Sequence, residues 1–375
     1  MNIQRRRFSV AAIIVVVLTI AVGCGDGRPS KTLHKAVLTG DLVQIERHIR
    51  WNSDLNARDE LGFSALDYAA VKGFVSIAEL LIDHGADPNA RSSYRQTPLQ
   101  KAALNGSTGV AELLIAKGSD ISAHDKHGNT ALHYAAEMGY EKVACLLCRL
   151  GADDNAQNKR GHTPLHKAAD EGQMGTAKKL IVNGADVNGG LFGERPLHRA
   201  SIKGHADVVR LLIRFGAEVD AQDPLLWTPL HDAAFYGQEE VAMVLLEAGA
   251  DINKMSRRGH TPLHKAAIAG NEAIVKLLIA QGANLNAKDK RGHTALDRAK
   301  RVGHQGVVAL LIAHGAKGGK QSRQDAPALL YMDGTGFSAA VQAGGGGSSA
   351  RSVRPRQFVP QRNETPTSTA PENSL

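Results

Sequence analysis

Thr163-Pro-Leu-His-Lys-Ala-Ala169 recurs as Thr228-Pro-Leu-His-Asp-Ala-Ala234 and as Thr261-Pro-Leu-His-Lys-Ala-Ala267. Aligned on its leucine, the string extends in both directions through Leu33, Leu66, Leu99, Leu132, Leu165, Leu197, Leu230, Leu263 and Leu296. The step is 33 residues throughout, apart from one of 32 between Leu165 and Leu197. Alanine stands three residues after every leucine, from Ala36 to Ala299, and glycine four residues further on, from Gly40 to Gly303. A fixed period of this length marks a repeat array in which each unit is one supersecondary element.

One unit is readable from local chemistry. Threonine caps a first helix, and proline in the first turn removes no needed hydrogen bond. The pair Ala168-Ala169 lets neighbouring helices approach closely, and Gly172 ends the helix where the backbone turns. A second helix, such as residues 272–281, presents Ile274, Val275, Leu277, Leu278 and Ile279 to its neighbours. Gly282 closes it, and Gly282-Ala-Asn-Leu-Asn286 leads to a finger-like turn, Lys288-Asp-Lys-Arg-Gly292. In the first unit Asn52 replaces the closing glycine, a residue that tolerates the left-handed conformation. No unit buries its own apolar face, so stability comes from stacking. The period and the Thr-Pro-Leu-His-x-Ala string resemble the ankyrin repeat, with nine units over residues 31–317. That resemblance implies an all-α solenoid of stacked helix-turn-helix units with finger-like turns. It also implies a protein partner bound by the fingers and the inward face of the first helices, and a structural, hydrogen-bonding role for the recurrent histidine.

Composition agrees. The 375 residues are 43% hydrophobic and 22% charged, as in a folded soluble chain, while aromatics are only 4%. Helices rich in Ala, Leu, Ile and Val fit this better than an aromatic core. Three cysteines exclude a disulfide scaffold and any metal cluster with four cysteine ligands. The net charge of +8 sits mostly at the two ends, in Arg5, Arg6 and Arg7 and in the tail from Lys317, leaving +2 for the middle. A nucleic-acid binder concentrates basic charge in its folded part, so nucleic acid is not the expected partner.

The first residues read as an address. A basic stretch, 1–7, precedes an apolar run from Val10 to Val22 interrupted by Thr19. Thirteen helical residues rise about 20 Å, short of a ~30 Å hydrocarbon core. This is the shape of a secretory signal peptide over 1–23. Ala21-Val22-Gly23-Cys24 resembles the lipobox of bacterial lipoproteins, with alanine where leucine is usual. The resemblance implies lipid on Cys24, a short linker over 24–30, and an exported array anchored to a membrane of the cell envelope. A plain signal peptide or an uncleaved anchor is the competing reading. Arg5-Arg6-Arg7-Phe8 also resembles a twin-arginine signal, although so apolar a run favours the general secretory route.

Several groups imitate chemistry. His162-x-x-x-His166 and His260-x-x-x-His264 suggest metal ligation, but the spacing recurs only because histidine belongs to the repeat string. The second histidine position becomes Asp67, Gln100 or Asp297 in other units. Cys145-Leu-Leu-Cys148 has redox-like spacing inside a second helix, without the strand-turn-helix context of a redox site. No catalytic constellation or cofactor site stands out. A solenoid enzyme or metal-binding protein using the repeat histidines therefore remains only as the alternative to an interaction scaffold.

The variable positions carry the functional signal. Lys126-His127 and Lys159-Arg160 occupy equivalent finger positions, as do Arg257-Arg258 and Lys290-Arg291. Stacked about 8–10 Å apart, these would form two basic clusters along one rim; ordinary solvated tips are the competing account. Between them lie the shortened finger 189–193, containing Leu191 and Phe192, and the finger 223–227, containing Leu225 and Trp227, with Leu226 where most units have glycine. Phe235 and Tyr236 occupy the inward positions of the next first helix. These six apolar residues form an expected binding hot spot ringed by charge, unless they merely repack around a deletion. The tail, 318–375, is rich in Gly, Ser and Pro and is expected to be mostly disordered, as a solvated linker or a contact for anionic lipid or wall polymer. One apolar island, 326–332, either caps the last unit or is disordered too. The expected molecule is a monomeric, membrane-tethered array without cofactor.

Overall fold

A computed structural model describes residues 27–190 and 193–319. Every described residue belongs to one compact unit within 1–325. The signal-like segment, Cys24, Leu191, Phe192 and the apolar island all lie outside the described residues.

The described residues form eighteen α-helices and no strand. In order they are α1 (Leu33–Leu38), α2 (Leu42–Arg50), α3 (Ala65–Lys72), α4 (Val75–Asp83), α5 (Pro98–Leu104), α6 (Thr108–Ala116), α7 (Ala131–Glu137), α8 (Glu141–Arg149) and α9 (Pro164–Asp170). The series continues with α10 (Met174–Asn183), α11 (Pro196–Lys203), α12 (Ala206–Arg214), α13 (Pro229–Tyr236), α14 (Glu239–Glu247), α15 (Pro262–Ala269), α16 (Glu272–Ala280), α17 (Ala295–Val302) and α18 (Gln305–Ala313). Odd-numbered helices stack on one another in one row and even-numbered helices in a second, each pair joined by a tight turn. This is the expected all-α solenoid.

The repeat register explains the stack. All nine leucines of the register and all nine alanines are buried, the alanines completely. A residue without side-chain bulk at that position lets first helices pack directly on one another. The glycine after each first helix takes a positive φ, from 67° at Gly172 to 94° at Gly303. Asn52 adopts φ 48°, as its place in the first unit requires. Leu226 also adopts a left-handed φ of 57°, where the neighbouring fingers use Gly193 and Gly259.

Two side-chain devices fix the turns between pairs. Asp59, Asp125, Asn158, Asp223 and Asp289 each accept two main-chain N–H groups within their own finger, at 2.7–3.1 Å. A ladder of asparagines ties unit to unit. Asn56 Nδ2 donates to the Gly85 carbonyl while its Oδ1 accepts the Asp87 N–H. Asn89, Asn155 and Asn188 repeat both bonds one unit further on. The stack ends on apolar surface: Leu38, Leu42, Val43 and Trp51 are exposed in the first pair, Val302 and Ile312 in the last.

Candidate functional site

The recurrent histidine is the first residue whose role the geometry decides. His133, His166, His198, His231 and His264 sit one turn into their first helices and are almost wholly buried. Each Nδ1 accepts the N–H of the residue capping its helix, at 3.1–3.2 Å. Each Nε2 donates to a main-chain carbonyl of the next unit, at residues 162, 194, 227, 260 and 293. Both ring nitrogens are therefore engaged, and binding a metal would break a lock between units. Burial holds these rings neutral, pushing His133 and His198 down to about 4 and His166 and His231 to about 3. Gln100 does the same work, its Oε1 accepting the Thr97 N–H and its Nε2 donating to the Asn129 carbonyl at 2.7 Å. Among the described residues no group of three or more His, Cys, Asp or Glu is placed to hold a metal ion. Cys145 and Cys148 are half-buried thiols on α8, and burial pushes Cys148 up.

The finger rim is built by main-chain bonds between neighbouring tips. The Lys126 N–H donates to the Tyr94 carbonyl and the Lys159 N–H to that of His127. Further along, the Arg257 N–H donates to the Leu225 carbonyl and the Lys290 N–H to that of Arg258. Two runs of three fingers result, and Lys159, Arg160, Arg257, Arg258, Lys290 and Arg291 are all exposed on them. Pro224, at the equivalent place in the finger 223–227, has no N–H to give such a bond.

The central apolar group is only partly assembled. Trp227, Phe235 and Tyr236 meet edge to face, with ring centroids 5.6 Å and 5.2 Å apart. Trp227 is only 7% exposed, because the Lys265 ammonium lies 3.2 Å from its ring centre. This corrects the expectation of a surface anchor there: the indole is a platform for Lys265, and Tyr236, 39% exposed, is the side chain a partner can touch. Phe235 and Leu225 are half-buried.

Sequence reasoning missed the charged rail beside this group. Arg199 binds Asp170 and Glu194 on either side, at 2.5 Å and 3.2 Å. Although burial disfavours its charge, the His162 ring and Arg199 hold the Glu194 carboxyl down at about 2. Gln96 links Lys101 to the Tyr134 hydroxyl, which in turn donates to Asp125. Lys167 binds Glu137 at 3.1 Å. The signal was available: the position two residues after each leucine reads Tyr68, Lys101, Tyr134, Lys167, Arg199, Asp232, Lys265, Arg298, polar or aromatic in every one of these units.

Comparison with known proteins agrees with this geometry. The three-copy family model described as ankyrin repeats matches residues 91–158, 165–256 and 230–322, and the single ankyrin repeat model matches 61–93. The first helix pair, α1 and α2, precedes the matched stretch. Protein phosphatase 1 regulatory subunit 27 of Homo sapiens is 38% identical over 53 residues, which are 14% of this chain and 34% of that protein. The Mus musculus protein of the same name matches to the same extent. The chain thus spans about a third of the length of these curated relatives.

Proposed function

Because the chain belongs to the ankyrin-repeat family, we propose that it is a non-enzymatic protein–protein interaction scaffold, tethered to a bacterial envelope membrane as a lipoprotein. The observation that carries the scaffold reading is the division of labour along the register. Leucine, alanine and histidine are consumed by stacking, while the finger tips and inward positions vary and reach the surface. That arrangement supplies surface, and the recurrent histidines 133, 166, 198, 231 and 264 spend both ring nitrogens on the stack. A regulatory role by binding is also the kind the phosphatase subunits' name describes. In this reading α1 and α2 are the first of nine units, and the array is monomeric.

The tether rests on sequence alone: the basic start, the apolar run and the lipobox-like Ala21-Val-Gly-Cys24. None of the described helices is long and apolar enough to cross a membrane. Crosslinking in cells, followed by mass spectrometry of what copurifies, tests the scaffold; recovery of no protein above background would sink it. Labelled fatty acid tests the tether. Cys24→Ser is expected to abolish incorporation and leave an unprocessed precursor, and unchanged labelling would refute it.

A further inference from the structure

The finger rim is not uniform in charge, and its C-terminal run is the more basic. From Lys254 to Arg301 the sequence carries eleven Lys and Arg and only three acidic residues. Two of those three are spent internally. Asp289 is buried under Arg298 and accepts the main-chain N–H groups of Arg291 and His293. Asp297 accepts the N–H and hydroxyl of Thr294 and the N–H of Gly319. The third, Glu272, begins α16 in the other row of helices. The exposed side of these two units thus presents Arg257, Lys290, Arg291, Lys300 and Arg301 with little acidic charge beside them. Next to this run, on the first helices, lie Phe235, Tyr236 and Ile268.

Building on the scaffold reading above, we propose that this C-terminal surface binds an extended acidic segment of a partner protein, with an apolar side chain at one end seated against Tyr236. The geometry sets a pattern. Finger tips joined by main-chain bonds advance by about one helix-packing distance, ~8–10 Å, per unit. A chain in the extended polyproline II conformation covers that in about three residues at ~3.1 Å each and brings every third side chain to the same face. Carboxylates three residues apart therefore meet Arg257 and then Lys290 or Arg291. Charge complementarity excludes the chain's own tail as occupant, because residues 320–375 hold six basic and four acidic side chains. The aromatic and aliphatic positions beside the charges favour a peptide over a polyanion that offers charge alone. Arginine tips also suit carboxylate pairing through their forked donors.

Selection of a random 12-residue displayed peptide library on the full-length protein tests this. Enriched peptides are expected to carry Asp or Glu at three-residue spacing with an aromatic or aliphatic residue to one side. Their affinity should fall at least tenfold for Arg257→Glu combined with Lys290→Glu, and less for Arg257→Gln. Tyr236→Ala should weaken them without changing their salt dependence. These tips are exposed, and an unchanged melting curve shows that the variants fold. Enriched peptides without acidic excess, or equal binding to the charge-reversed variant, would overturn the proposal. So would tenfold tighter binding of a single-stranded oligonucleotide or of phosphatidylglycerol vesicles at the same salt. If the double variant still copurifies the crosslinked partner of the wild type, the scaffold stands and the acidic segment falls.

Discussion

A buried imidazole that stays neutral makes the fold pH-sensitive in one direction. In the unfolded chain a histidine takes a proton as pH falls through ~6.5. In the stack, His133, His166, His198 and His231 resist until about 3–4, because their rings are desolvated and Lys167 or Lys265 stands near two of them. Stability present above pH ~6.5 is therefore lost as pH falls towards 4, at about 1.4 kcal/mol per pH unit for each histidine once the unfolded rings are charged. Melting temperature measured between pH 7 and 4 should drop steeply. His231→Gln should flatten that slope and leave the neutral value nearly intact, since Gln100 makes both bonds without titrating. An unchanged slope would mean another group governs acid unfolding. Leu226 offers a second test at this scale. Its left-handed φ of 57° burdens a side chain that is 38% exposed and gains little from packing. Leu226→Gly should stabilise by about 0.5–1 kcal/mol, seen as a higher urea midpoint. The sequence showed this substitution plainly. It did not show that Trp227 lies under Lys265, because the two are 38 residues apart and meet only through the stacking of α13 on α15.

Between helices, the asparagine ladder does work that propensity does not reveal. Asn56, Asn89, Asn155 and Asn188 each close two bonds to the following unit, and at Asp220 the donating bond has no amide to make it. Asp220 accepts the Asp251 N–H at 3.1 Å but has no amide to offer the Gly249 carbonyl. Asp220→Asn should add that bond and raise stability by about 1 kcal/mol, whereas Asn155→Ala should lose a similar amount. Urea denaturation of both variants checks the pair, and a null result for each would show that water serves these groups equally well. The helices themselves were legible because a 33-residue period places caps, alanines and glycines in register. Only the boundary of α16 moved, with Gln281 forming its C-terminal cap rather than its last turn. The ladder was less legible, since a surface asparagine looks like any polar loop residue until its partner, 29 or 31 residues away, is brought alongside.

Along the whole described array, nearest neighbours carry the stability, so one weak junction matters more than any average. Pro224 marks such a junction: it stands where Lys126, Lys159, Arg257 and Lys290 each donate a main-chain N–H to the preceding finger, and proline has none to give. Hydrogen exchange in mild urea should show residues 33–214 and 229–313 opening as separate blocks. A single cooperative opening would refute the division. The proline was visible in the sequence, but its effect was not, because the bond it cannot make is main chain to main chain. The same gap has a mechanical meaning. A stack held at one end and loaded at the other behaves as springs in series, and the most compliant spring takes most of the extension. Tension on this chain would concentrate at that junction, where helix contacts and the Asn188 rung must bear the load without the finger bond that Pro224 cannot make. The array would yield there first, parting into two still-folded halves before any helix unravelled.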